Sequence, residues 1–194
     1  MIAVQRGTPL ILTSAAATLA FQAGAINMGI AGQFMVGSAF AAIAGYALAG
    51  LPKLLHILLV LLICAIAGAV AGFIPAFFKR ISGINEVVTG MIANLLMPQL
   101  LNMVISAVPV LREAQHGSSR GIPTSAQFRQ FVELTNGRLG TGTKANTSIF
   151  LAVIVVLFLA WWMKHSKLGF ELRMTKANYF FAEFAGIRAS RSFY

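Results

Sequence analysis

A stretch of 46 residues between Arg6 and Lys53 contains no charged side chain. One membrane-crossing helix needs about 20 predominantly apolar residues, so this stretch is long enough for two crossings. Three glycines cluster near its middle, within residues 24–32. Because glycine destabilises a helix interior by about 1 kcal/mol relative to alanine, the cluster predicts a break between two helices. We place these helices at residues 10–26 and 33–49.

The composition of the whole chain excludes a soluble globular domain. Of 194 residues, 58% are hydrophobic and only 10% are charged, whereas soluble domains carry about 25% charged residues. The net charge of +10 would favour nucleic acid if the basic residues formed one patch. They lie instead in the gaps between apolar runs, as basic residues do beside membrane spans. We therefore expect the chain to contact a lipid bilayer and no nucleic acid.

Three further apolar runs have the length of membrane spans. They are residues 54–78, 87–107 and 146–163. Residues 108–145 are polar and rich in Gly, Pro, Ser and Thr, which indicates an aqueous loop, and we predict a short amphipathic helix over residues 125–134 within it. The sequence thus predicts an all-α polytopic bundle of about five spans, with a broken helix near the N-terminus and a polar tail at residues 164–194.

The distribution of basic residues predicts the orientation. The tail after residue 164 is densely basic, which places it in the cytoplasm. Alternation of the spans then places the loop at residues 108–145 outside and Lys79 and Arg80 inside. The same alternation leaves Met1 outside with no span before it. We therefore expect this sequence to be a fragment of a longer protein.

The sequence contains no residue set suited to catalysis. There is no nucleophile–base pair, no set of metal ligands and no phosphate-binding Gly-Lys-Ser/Thr loop. Cys64, the only cysteine, lies within an apolar run, where a small packing residue is expected. We predict no catalytic residue, no metal and no cofactor.

Three stretches, taken in order, resemble the permease subunits of ABC importers for simple sugars, nucleosides and branched-chain amino acids. The first is residues 24–33 (GAINMGIAGQ), similar to that family's Gly, Asn, hydrophobe, Gly and Glu-Gly-Gln pattern. The second is residues 83–94 (GINEVVTGMIAN), similar to its Asn-Glu-Val segment and the asparagine that follows. The third lies in residues 169–187 and ends in a match to Asn-Pro-x-Ala-Ala-x-Tyr-Ala-Gly-Ile. The nucleoside-type branch looks closest, chiefly because of the Asn-Glu-Val stretch.

Three departures from the family pattern bear on its interpretation. Ala31 stands where the family usually has glutamate, Tyr179 replaces a proline, and Phe181 replaces an alanine. No role of the family's carboxylate carries over to this position, and its loss would be compatible with a divergent subunit of a heteromeric pair.

The resemblance implies a subunit of an ATP-driven importer in the inner membrane of a bacterial-type cell. Its partners would be two cytoplasmic ATPase subunits, a second permease (a copy of itself or a different chain) and an external substrate-binding protein. ATP hydrolysis would take place on the partner subunits, so the chain itself would not be an enzyme. The alternative is a gradient-driven secondary transporter or channel. Such carriers often use carboxylates within the membrane, and no Asp or Glu lies deep in the predicted spans, which favours the ATP-coupled interpretation.

Five polar residues near the predicted break and at the fourth span are candidates for the substrate path. They are Asn27, Gln33, Glu86, Asn94 and Gln99. Broken helices in transporters line a polar path at membrane depth, but such amides also cap helix ends or bond between helices. For Glu86 we favour a structural role, because a glutamate in the first turn after an N-cap asparagine favours the helix dipole.

The tail contains the candidate coupling segment. Phe180 and Phe184 lie four residues apart and share one face of a short helix. A helix lying on lipid would show the same pattern. The resemblance favours a segment that fits a groove on the ATPase subunit, and it implicates Asn178, Phe181, Ala182, Phe184, Gly186 and Ile187.

Overall fold

The computed structural model describes residues 2–107, 121–134 and 145–186. Within these ranges the chain forms eight α-helices and one 3-10 turn. The described residues form no β-strand, only an isolated β-bridge between Gln130 and Asn146. The helices are α1 (Ile2–Gln22), α2 (Ile30–Ala47), α3 (Lys53–Ser82), α4 (Glu86–Ala107), α5 (Phe131–Leu134), α6 (Ser148–His165), α7 (Lys167–Ala177) and α8 (Tyr179–Phe184), and the 3-10 turn is Thr124–Ala126.

The chain divides into two compact units. One contains Met1–Asn27 and Phe128–Tyr194; in it α1 packs against α6, and α7 contacts α1, α6 and α8. The other contains Met28–Gln127; in it α2 packs on α3 and α4, and the 3-10 turn packs on α3.

Four helices are long and apolar enough to cross a membrane: α2, α3, α4 (over Glu86–Val104) and α6. Large apolar side chains such as Leu54, Leu95 and Leu157 are exposed along them, as lipid-facing side chains would be. The predicted all-α polytopic membrane fold is confirmed. Helix α1 includes Arg6 and Pro9 and is not among these four helices. A crossing at residues 10–26 therefore stays a prediction.

The predicted break near the N-terminus is present, and its geometry explains where α1 ends. Gly24 has φ +81°, a left-handed conformation that glycine adopts without steric cost. Ala25 N–H donates to Ala20 O at 2.9 Å, and Gly24 N–H donates to Phe21 O at 3.2 Å. This pair of bonds is a Schellman motif, which closes a helix at its C-terminus. The helix therefore ends at Gln22 rather than at residue 26.

The single amphipathic helix predicted over residues 125–134 is wrong. The chain there makes the 3-10 turn and then the separate four-residue α5. Between them Gln127 is extended, with φ −97° and ψ 142°, and its Nε2 donates to Ile122 O at 2.5 Å. A side chain that bonds the backbone of its own loop competes with helix formation. The start of α5 is held by a bond from Phe131 N–H to Ala145 O at 3.1 Å.

Small residues bring α2 and α3 into close contact. Gly37 on α2 faces Cys64, whose Sγ lies 3.2 Å from the position a Cβ would occupy on the glycine. Ala67 and Ala71 of α3 are buried. Small residues allow membrane helices to approach closely, and Cys64 accordingly packs in this contact. At the start of α3 the His56 side chain is fully buried, with Nδ1 3.0 Å from Ser125 Oγ.

Candidate functional site

The first turn of α2, directly after the break, depends on a side chain from α4. The N-cap of α2 is Gly29, which has no side chain to accept a bond from the first N–H groups, although a helix start leaves such groups without intrahelical partners. Asn94 supplies the acceptor: its Oδ1 receives the Gly32 N–H at 2.8 Å. Its Nδ2 donates to Met28 O at 2.5 Å. One amide therefore joins α4 to both sides of the helix start.

A close backbone contact accompanies this amide. Gly90 precedes Asn94 by one helical turn and is buried. A Cβ on Gly90 would lie 2.8 Å from Gly29 N and 3.2 Å from Met28 C. The residue must therefore be glycine for α4 to approach the break. Sequence reasoning missed Gly90, although a glycine four residues before a polar residue in a span is a detectable signal.

Gln33 lies on the same first turn of α2 and is half-buried. Its side-chain amide packs over Gly72 of α3, with Cδ, Nε2 and Oε1 3.5–3.6 Å from the position of a Cβ there. Gln33 and Asn94 thus both act at the start of α2, where Gln33 contacts α3 and Asn94 contacts the preceding backbone. The polar groups at the break are fixed by neighbouring helices.

Glu86 occupies the first turn of α4. Its carboxylate forms an ion pair with Lys79 near the end of α3. Asn85 Oδ1 accepts the Val87 N–H at 2.9 Å, so Asn85 caps α4 as the sequence predicts. The Glu86 carboxylate therefore interacts favourably with the positive end of the α4 dipole. Its negative charge is balanced by Lys79.

The remaining path candidates are Asn27 and Gln99. Asn27 is half-buried in the segment between α1 and α2 and belongs to the unit that contains α1. Gln99 is exposed on α4, five residues beyond Asn94. Among the residues that the structure describes, no group of three or more His, Cys, Asp or Glu side chains is placed to hold a metal ion.

The tail folds as two short helices separated by Asn178. Asn178 is extended, with φ −158° and ψ 110°, and its carbonyl accepts the Ala182 N–H at 3.0 Å. On α8 Ala182 is fully buried, whereas Phe180 is 73% exposed and Phe184 is 92% exposed. Gly186 follows with φ +77°. Ile187 and the side chain of Phe181 lie outside the described residues.

Apolar helices with a break whose polar groups are held by side chains are typical of membrane permeases. The family described as "Branched-chain amino acid transport system / permease component" matches residues 2–193. The match includes nearly the whole chain, so the chain belongs to this permease family. Its membrane-embedded character follows from this membership together with the apolar helices.

Curated relatives cover almost the whole chain. A nucleoside ABC transporter permease protein of Lactococcus lactis subsp. cremoris is 29% identical over 189 residues, 95% of this chain and 50% of the relative. A guanosine ABC transporter permease protein of Bacillus subtilis is 29% identical over 190 residues, 97% of this chain and 52% of the relative. A glucose ABC transporter permease protein of Haloferax volcanii is 28% identical over 186 residues, 89% of this chain and 46% of the relative. The chain thus spans about half the length of these relatives. No solved structure matches it significantly.

Proposed function

We propose that this chain forms part of the transmembrane permease subunit of an ATP-driven ABC importer that carries a nucleoside or simple sugar across the inner membrane of a bacterial-type cell. The observation that carries the proposal is the family match over residues 2–193. The names of the relatives support the substrate class, since two are permeases for nucleosides and one is a permease for glucose. The two nucleoside relatives cover the larger share of this chain, which favours a nucleoside.

The five polar candidates take different parts in this proposal. Asn94 is a positioning residue, because the oxygen and the nitrogen of its side-chain amide both form hydrogen bonds with the backbone at the start of α2. Gln33 and Asn27 flank the break, where they border the path. Gln99 is exposed on α4 and is the candidate best placed to contact an uncharged polar substrate directly. Glu86 stabilises the start of α4 beside the path through its pair with Lys79.

The tail is the proposed coupling segment, on the cytoplasmic side, with the loop at residues 108–145 outside. In an isolated chain Phe184 and Phe180 expose most of their surface, which is unfavourable in water. An amphipathic helix binds a partner by placing such anchors in a hydrophobic groove. A groove on an ATPase subunit would bury both aromatics, while the buried Ala182 would hold α8 against the rest of the tail.

The complete importer in this proposal contains two such ATPase subunits, a second permease and an external substrate-binding protein. ATP hydrolysis takes place on the ATPase subunits and the permease itself catalyses no reaction. Closure of the ATPases would move α8 and, through it, the membrane helices between inward-facing and outward-facing states. A gradient-driven carrier would have no use for an exposed aromatic helix of this kind.

The experiment is substitution of Phe184→Ala and Phe180→Ala in the full-length permease, with co-purification of the ATPase subunit. Truncating an interface anchor typically costs about 2 kcal/mol or more, so each variant should retain about thirtyfold less ATPase. The matched control is Phe158→Ala, which removes an equally large exposed aromatic from the apolar helix α6. If all three variants keep the ATPase equally well, α8 is not the coupling segment.

A further inference from the structure

A groove in the unit that contains α1 and α6 has a lining of two distinct kinds. It measures about 780 Å³. Apolar and small side chains of α1 and α6 line most of it, including Ala15, Leu19, Val156, Leu159 and Ala160. The polar part of the lining consists of the uncharged Thr18 and Gln22 and of three basic residues, Lys164, Arg173 and Lys176. A groove of this composition suits a ligand with an anionic end and a hydrocarbon end.

The corner between α6 and α7 fixes the basic side of the groove. Ser166 Oγ caps α7 by accepting the Gly169 N–H at 2.9 Å. The guanidinium of Arg173 donates from Nη1 to the carbonyl of Met163 near the end of α6. These contacts bring α7 back toward α6, so that Lys176 near the end of α7 lines the same groove as Lys164.

Among the residues that the structure describes, no acidic side chain lines the groove to balance its positive charge. Two acidic residues lie on α7 and α8: Glu171 pairs with Lys167, and Glu183 is exposed. Neither lines the groove. Within the described ranges Lys164 and Lys176 have no acidic partner. Cationic groups near an apolar surface attract anionic lipid, each contributing about fivefold to affinity.

The position of the groove along the helices also fits a lipid. Val156 to Lys164 covers eight residue steps, or about 12 Å along α6 at the helical rise per residue. Trp161 is exposed just before Lys164, and tryptophans lie preferentially at the boundary between hydrocarbon and headgroups. The basic side chains therefore lie at the level of the lipid headgroups. The apolar lining lies at the level of the acyl-chain segments nearest the headgroups.

We propose that this groove is a binding site for one anionic glycerophospholipid. The phosphate lies among Lys164, Arg173 and Lys176, and the upper part of one acyl chain lies against Ala160 and the apolar side chains of α1. The proposal depends on membrane embedding alone and is independent of the transported substrate. The bound lipid would fill the space between α1, α6 and α7, next to the proposed coupling segment.

The test is native mass spectrometry of the purified full-length permease with added phosphatidylglycerol or phosphatidylcholine. The unmodified protein should retain phosphatidylglycerol preferentially. The double variant Lys164→Gln with Lys176→Gln should weaken that retention by about thirtyfold. The matched control is Lys167→Gln. It removes an exposed lysine that lies on α7, as Lys176 does, but outside the groove, and it should change retention by less than twofold.

Two further measurements separate the lipid from other occupants. Ala160→Phe fills the apolar part of the groove while keeping every charge, and it should also weaken retention. Water-soluble glycerol phosphate at millimolar concentration should not displace the lipid. The proposal is overturned if the Lys167 control loses lipid as the double variant does, if glycerol phosphate competes, or if Ala160→Phe retains lipid normally. It is also overturned if the unmodified protein shows no preference for the anionic lipid.

Discussion

Asn94 should contribute to stability far more than its place on an exposed helix suggests. Asn94→Ala removes the acceptor of the Gly32 N–H and the donor to Met28 O. Side-chain hydrogen bonds within membranes average about 0.6 kcal/mol, so the two bonds contribute about 1.2 kcal/mol. The Gly32 N–H then lacks an acceptor at a helix start with no side-chain cap, and a buried unpaired donor costs about 1–3 kcal/mol. We expect a loss of about 2 kcal/mol in the free energy of unfolding.

The assay is unfolding of the full-length permease in mixed micelles of increasing denaturing-detergent content. Asn102→Ala is the matched control, because it removes an exposed amide from the same helix; it should change stability by less than about 0.5 kcal/mol. Equal stability of Asn94→Ala and Asn102→Ala would refute the proposed role of this amide.

Three further predictions concern the break, the tail and the topology. Gly90→Ala should destabilise the protein by about 1–3 kcal/mol, because its Cβ would overlap the backbone of the break; Gly7→Ala, which lies within α1 with open space around it, should instead stabilise the protein by up to about 1 kcal/mol in the same unfolding assay. Ser166→Ala should cost about 1 kcal/mol through loss of the α7 cap, and Ser166→Thr should recover most of it. A reporter fused after Met163 should be cytoplasmic and one inserted at residue 118 external; the opposite labelling pattern would overturn the topology and the coupling role.

The sequence predicted those features that depend on local patterns. The uncharged run and the glycine cluster predicted two helices with a break, and the break is present because Gly24 adopts a left-handed conformation. Asn85 was predicted to cap α4 and does so. These features require only neighbouring residues, whose propensities can be read from a single sequence.

The remaining features depend on contacts between distant segments. Asn94 bonds with residues more than 60 positions away, so its partners could not be read from the sequence of α4. The spacing of Gly90 from Asn94 is a local signal, but the backbone that Gly90 contacts, at Met28 and Gly29, is about 60 positions away in the sequence. The helix predicted over residues 125–134 was wrong because Gln127 bonds with the backbone of its own loop, and α5 is held by the residues that precede α6. The buried His56 forms a hydrogen bond with Ser125, which is 69 residues away in the sequence. Periodicity within α3 does not indicate this contact.

We propose that ATP, not an ion gradient, drives transport by the full-length protein. The most direct measurement is uptake of radiolabelled nucleoside by cells that carry the permease with its partner subunits, compared with cells in which the permease is deleted. The account predicts that uptake depends on the permease, persists when a protonophore collapses the gradient with ATP maintained, and stops when ATP is depleted. Uptake that stops with the gradient and is unaffected by ATP depletion would contradict the account.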